Sequence, residues 1–80
     1  MKKLKYVVFK DGRAVLFGDD TQHNQVGNKD NVRSAGFCHI DFERNESRYL
    51  VTCFGESISL EIKSDPDGDA KVISYMVNEY

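Results

Sequence analysis

Four residues make up the whole stock of histidine and cysteine in the chain: His23, Cys38, His39 and Cys53. A structural zinc site takes four such ligands around one ion. Cys38 and His39 are adjacent in a stretch with strand character, so their side chains leave on opposite faces. No C-x-x-C or H-x-x-x-H spacing occurs, and no metal or cofactor is expected. His39, Asp41 and Thr52 fall on one face of the same stretch, and a histidine beside a carboxylate is the start of a general base. The same trio is also what a solvated sheet face ordinarily carries. Ser57 and Ser59 follow Gly55-Glu56, but a nucleophilic serine needs the sharp elbow of G-x-S-x-G, which is absent. Neither a phosphate-cradling glycine loop nor a dinucleotide fingerprint is present. Enzymatic activity is therefore not expected.

Binding chemistry has more support. Phe37 and Phe54 face each other across a hairpin, with Arg33, Arg48 and Lys63 nearby in the pattern. Aromatic side chains on an open sheet stack bases. Asp41, Glu43 and Glu61 share that face, however, and the chain carries 11 basic against 13 acidic residues for a net charge of −2. A nucleic-acid ligand would select a positive field, so nucleic acid is not expected as the partner.

The element that positions these residues runs from Gly36 to Lys63 and reads as a three-stranded meander, with strands at about 36–43, 48–54 and 57–63. A turn at Asn45-Glu46 sets Phe42 opposite Tyr49, Ile40 opposite Val51 and Cys38 opposite Cys53. On the other face it sets Glu43 opposite Arg48, Asp41 opposite Leu50, His39 opposite Thr52 and Phe37 opposite Phe54. A second turn at Gly55-Glu56, with glycine where a type II′ turn needs it, extends the apolar face with Ile58, Leu60 and Ile62. A slip of one residue would scramble both faces, so the register is well specified. Cys38 and Cys53 then sit directly opposite each other on the apolar face, where a thiol behaves as a small hydrophobe; two reduced core cysteines are expected.

Upstream, strands at about 4–10 and 13–18 flank Asp11-Gly12, the favoured pair of a two-residue type I′ turn. That turn pairs Val8 with Val15 and Val7 with Leu16, and leaves both faces of the hairpin apolar. A central hairpin covered by the helix on one side and a loop on the other is the expected explanation, the alternative being that one face meets a partner chain. Residues 19–35 form a long polar loop, and long loops in small domains are often functional. Downstream, Ser64 or Asp65 caps a helix over about 66–79, with Pro66 in its first turn. Val72, Ile73, Met76, Val77 and Tyr80 form its apolar stripe, and Asp69, Lys71, Ser74, Asn78 and Glu79 its polar faces.

The fold expected is α+β: an antiparallel sheet of about five strands, as a hairpin plus a meander, with one C-terminal helix on a face. Eighty residues make a single domain with a small core. Without a secretory signal or a bilayer-spanning apolar run, a cytoplasmic location is expected.

His23-Asn24, Ser34-Ala35-Gly36-Phe37 and the run Cys53 to Leu60, with the opening Tyr6-Val7-Val8-Phe9, resemble small uncharacterised proteins of bacteria and their phages. The resemblance implies no catalytic residues. Phages encode domains of this size as inhibitors of host defence, including anti-CRISPR proteins and sponges for signalling nucleotides. The leading expectation is a non-enzymatic binding protein acting through protein contacts. Phe37 and Phe54 would be its anchors and Arg33 and Arg48 its anion-pairing groups, beside His23 and His39. One alternative is a sponge that binds a small phosphorylated ligand through Arg33, His39, Ser57 and Ser59 at a subunit interface. Another is a homodimeric interaction module.

Overall fold

The computed structural model describes residues 2–79. Strands β1 (Lys2–Phe9), β2 (Ala14–Phe17), β3 (Val32–Glu43) and β4 (Arg48–Phe54) form one antiparallel sheet in the order β2-β1-β3-β4. A one-turn helix α1 (His23–Val26) lies between β2 and β3, a small hairpin of β5 (Glu56–Ser57) and β6 (Ile62–Lys63) follows β4, and helix α2 (Pro66–Glu79) closes the chain. The architecture is the expected α+β, with the sheet strands divided into a four-stranded and a two-stranded sheet. Among the described residues no helix is long and apolar enough to cross a membrane.

The sheet is buried on both faces at its centre. On the first face Leu4, Tyr6 and Val8 of β1 meet Cys38 and Ile40 of β3, Val51 and Cys53 of β4, and Ala70, Ile73, Met76 and Val77 of α2. On the second face Val7, Phe9, Val32 and Ala35 meet Val26 of α1 and Leu60 and Ile62 of the small hairpin. Two layers on one sheet explain why β1 carries apolar side chains on both sides. A β-bulge opposite Val8-Phe9 returns Val32 to the second face.

The β3–β4 register is the one the alternation demands, from Phe37 opposite Phe54 to Glu43 opposite Arg48. Cys38 and Cys53 face each other there as buried free thiols. The first hairpin differs from expectation by one residue: Val8 pairs with Ala14, Val7 with Val15 and Tyr6 with Leu16. The turn is longer than two residues. Gly12 N–H donates to Phe9 O at 2.9 Å, Phe9 N–H donates to Arg13 O at 2.7 Å, and Gly12 takes a φ of +95°. Asp11 stabilises it by accepting from the Arg13 backbone N–H at 3.0 Å and from its Nε at 2.8 Å. The shift sends Ala14 and Leu16 to the α2 face. A pattern apolar on both sides cannot resist such a shift, so the turn decides it.

The third strand of the expected meander is not in the main sheet. The chain turns at Gly55, where φ is +79°, and folds β5–β6 across the second face instead of continuing beside β4. Leu60 and Ile62 therefore cover Val7 and Ala35 rather than Cys38, and Ile58 is 86% exposed. Gly36 permits the crossing: a Cβ there would stand 2.5 Å from Phe54 O and 3.1 Å from Ser64 Cβ. Ser64 secures it, its N–H and Oγ–H both donating to Gly55 O at 3.1 and 2.7 Å.

Helix α2 spans the expected residues, with Asp65 O accepting the first intrahelical bond from Asp69 N–H at 2.7 Å. Asp69 itself is not on a polar face. It is 0% exposed, and its carboxylate accepts from Tyr6 Oη–H at 2.5 Å, Ser34 Oγ–H at 2.5 Å and the Asp65 backbone N–H at 2.8 Å. Burial, then the Asp69 bond, pushes the Tyr6 hydroxyl pKa well above its ordinary value. At the far end of α2, Asn78 accepts from Tyr49 N–H at 2.7 Å and donates to Tyr49 O at 2.9 Å, pairing part of the β4 edge.

The Tyr6–Asp69–Ser34 cluster is a stability determinant. Tyr6→Phe is expected to cost about 1–3 kcal/mol in urea unfolding, because it removes one donor to a buried charge. Asp69→Ala is expected to cost about 3 kcal/mol or more, since two buried hydroxyls lose their acceptor. The double variant should fall short of the sum by about 0.5–3 kcal/mol; additivity within about 0.5 kcal/mol would show that the pair does not act as a unit.

Candidate binding cavity

The second face brings one row of side chains across all four strands. Phe17 lies opposite Lys5, Lys5 opposite Phe37, and Phe37 opposite Phe54. The next row sets Lys3 opposite His39 and His39 opposite Thr52. His23 enters this array from α1. Its ring meets Phe17 edge-on at 5.4 Å and Phe37 at 5.7 Å between centroids. Phe37 and Phe54 stack at 6.0 Å with 24° between planes, and His39 meets Phe54 at 5.0 Å. Lys3 Nζ lies 5.0 Å from the Phe37 ring centroid, on its face, a cation–π contact.

His23 is held at the start of α1 because Gln22 opens the helix, its N–H donating to Gln25 Oε1 at 2.7 Å. The imidazole is 4% exposed, with Nε2 2.9 Å from Gly36 O. A carbonyl only accepts, so Nε2 carries the proton, and in the neutral ring Nδ1 is then a bare acceptor. Burial pushes the His23 pKa down; the Gly36 bond opposes this and the neighbouring Lys5 charge adds to it.

Between this row and the small hairpin lies a cavity of about 490 Å³. Lys5, His23 and Phe37 line it on the sheet side, Gln22 at the helix end, and Glu56, Ile58 and Ser59 on the hairpin side. The hairpin is fastened over it. Ser59 Oγ accepts from Asn24 N–H at 3.3 Å, Lys29 pairs with Glu61 at 3.0 Å, and the buried Ser57 Oγ accepts from Leu60 N–H at 3.1 Å. Lys5 Nζ donates to Thr21 O at 3.0 Å, which leaves two of its three ammonium protons available.

Of the residues singled out from the sequence, His23, Phe37 and Ser59 line the cavity, and Phe54 and His39 extend its aromatic wall. Ser57 is fully buried and its hydroxyl serves the turn, so it is unavailable to a ligand. Arg33 lies on the bulged end of β3. Arg48 lies at the other end, beside Glu43, and donates to Ser74 Oγ on α2 at 3.3 Å. The run of β3 from Arg33 to Glu43, the partner of Arg48, separates the two arginines by roughly 33 Å at about 3.3 Å per residue. They are too far apart to meet on one small molecule. Lys3, Lys5, Gln22, Glu56 and Ile58 were not foreseen, because the β1–β3 pairing that places both lysines beside Phe37 has no local turn to announce it.

Among the described residues, no group of three His, Cys, Asp or Glu side chains clusters to hold a metal. Burial pushes the Cys38 thiol pKa up to about 11 and that of Cys53 up to about 12. Both are therefore protonated at neutral pH and poor nucleophiles.

These shifts set the pH dependence of stability. As pH falls below 6.5, the ordinary value of histidine, the unfolded chain takes up a proton that folded His23 resists, so stability falls with acidification. Above 9.0, the ordinary thiol value, the unfolded chain loses protons that folded Cys38 and Cys53 retain, so stability falls again. Urea midpoints between about pH 5 and about pH 10 should trace a plateau with two flanks. His23→Gln should flatten the acidic flank alone; an unchanged acidic flank would remove His23 as its cause. In comparisons with known proteins, no family model, no curated protein and no solved structure matches the chain.

Proposed function

We propose that this is a non-enzymatic binding protein and that its recognition site is the cavity between the aromatic row and the β5–β6 hairpin. The observation that carries this reading is convergence. One concave space of about 490 Å³ gathers an aromatic wall at Phe37, an ammonium at Lys5, the buried imidazole of His23 and an apolar lip at Ile58. A volume of this size, with few directed polar groups, is typical of small-ligand sites. Of the nucleophiles considered from the sequence, the Ser57 hydroxyl holds its turn, and both thiols are protonated on the opposite face of the sheet. A small ligand thus fits better than the wide face anchored by Arg33 and Arg48 that a protein-contact reading requires.

A second reading rests on a separate feature. The tip region of the β3–β4 hairpin exposes Phe42 (55%) and Tyr49 (42%) on one face and Leu50 (47%) on the other. Exposed apolar clusters of this kind suit contact with another protein, which is where the inhibitor and homodimer readings find their support.

Thermal unfolding against a panel of amino acids, sugars, aromatic acids, nucleosides and nucleoside phosphates tests the first reading. A ligand present at 100 times its Kd stabilises by about 2.7 kcal/mol, several degrees for a domain of this size. Ile58→Asp alters an exposed residue on the cavity lip, so it should abolish the shift while leaving the unliganded melting temperature within about 2 °C. A shift that survives this change would place the ligand elsewhere. Leu50→Asp should leave ligand binding intact; if it instead disperses an oligomer or abolishes capture of a protein partner, the hairpin tip is the functional surface.

A further inference from the structure

Resting on the small-ligand reading above, we propose that the cavity binds a nucleoside monophosphate, with an N–H of the base donating to His23 Nδ1, the base against Phe37 and the phosphate on Lys3 and Lys5. Three independent features specify the ligand. The first is the tautomer of His23: Gly36 O can only accept, so Nε2 holds the proton and Nδ1 is a lone-pair acceptor. Among the described residues no donor is bonded to Nδ1. Among the described residues no buried side-chain nitrogen or oxygen lacks a partner, so the unbonded Nδ1 keeps some accessible surface, on a buried residue that lines the cavity. An acceptor with no partner of its own selects a ligand that donates, as the amino and ring N–H groups of bases do.

The second feature is the flat aromatic wall. Phe37 is braced by Phe54 on one side and His23 on another, and Lys3 lies over its face; a base that takes this face displaces the Lys3 ammonium, which then turns to the phosphate. Stacking on such a surface tolerates any base; the hydrogen bond to Nδ1 supplies the discrimination. The third is charge. Lys5 borders the cavity with two free ammonium protons, and Lys3 stands over the Phe37 ring. Together they offer an anion two positive charges on one strand. Glu56 and Ser59 face them from the hairpin, where a carboxylate and a hydroxyl suit ribose hydroxyls and would repel a second phosphate. This opposition of charge is why a monophosphate fits better than a polyphosphate. It also explains how a chain with net charge −2 can hold an anionic ligand without being a nucleic-acid binder: the positive field is local.

Isothermal titration with the four ribonucleoside monophosphates, the matching nucleosides and inorganic phosphate tests the proposal. At least one monophosphate should bind, and its nucleoside and inorganic phosphate should each bind at least tenfold more weakly. Lys5→Gln should remove the preference for monophosphate over nucleoside. In His23→Gln the amide nitrogen takes the place of Nε2 toward Gly36 and nothing replaces Nδ1; binding should weaken at least tenfold while the melting temperature is largely kept. If that variant folds poorly, long-range 1H–15N spectra of the native protein decide, since the resonance of the unprotonated His23 Nδ1 should shift as it accepts a hydrogen bond from the bound monophosphate. A monophosphate that binds without moving that resonance overturns the assigned contact. Binding of another ligand class, sensitive to Ile58→Asp, with no response to any monophosphate would overturn the nucleotide assignment and leave the binding reading standing. No cavity ligand of any class would overturn both.

Discussion

The buried carboxylate of Asp69 is the interaction on which the rest of the structure depends. A carboxylate removed from water is costly unless hydrogen bonds replace its hydration. Here three donors do so, and they come from three places: Tyr6 on β1, Ser34 on β3 and the backbone of Asp65 ahead of α2. Apolar contact alone would let a helix slide or rotate on a sheet at small cost, because dispersion has no direction. The Asp69 bonds have direction. They fix the first turn of α2 over the seam between β1 and β3, and that seam is the one strand pairing in the main sheet without a tight turn joining its members.

Once α2 occupies the first face, the second face acquires its own requirement. Val7, Phe9, Phe17 and Ala35 need cover, and the polar segment between β2 and β3 brings little apolar surface besides Val26. The chain meets the need by leaving the sheet at Gly55 and crossing over Gly36, which brings Leu60 and Ile62 down on Val7 and Ala35. The cover is partial. Leu60 seals the end near Val32, but Ile58 stays outside, and the space left between the hairpin and the row Lys5–Phe37 is the cavity. The site is thus a consequence of covering a two-sided sheet with a hairpin too short to reach across it.

What the sequence reveals follows from how local the determinants are. The β3–β4 register was legible because its turn is short and one of its faces carries His39, Asp41, Glu43, Arg48 and Thr52, so any slip would bury charge. The span of α2 was legible from Pro66 and the Val72–Ile73–Met76–Val77 stripe. The first hairpin lacked that protection: with both faces apolar, only the geometry at Gly12 distinguishes two registers. In Ser64-Asp65-Pro66-Asp67-Gly68-Asp69 every acid suits a helix start, and nothing in the composition marks Asp69 as the one that turns inward. Its partners Tyr6 and Ser34 are remote in sequence. For the cavity, His23, Phe37 and Ser59 were recognisable as residue types, whereas Lys3 and Lys5 join them only through β1–β3 pairing.

The division between occupied and available polar groups is what gives the cavity a chemical identity. Ser57, His23 Nε2 and one Lys5 proton each answer a structural demand from the neighbouring backbone. What they leave over is complementary in kind: one acceptor at Nδ1, ammonium protons at Lys5, an aromatic face at Phe37. Burial lowers the His23 pKa and so favours the neutral ring, in which the Gly36 bond fixes the tautomer. The same burial that stabilises the fold therefore also fixes which hydrogen-bonding groups His23 presents to the cavity.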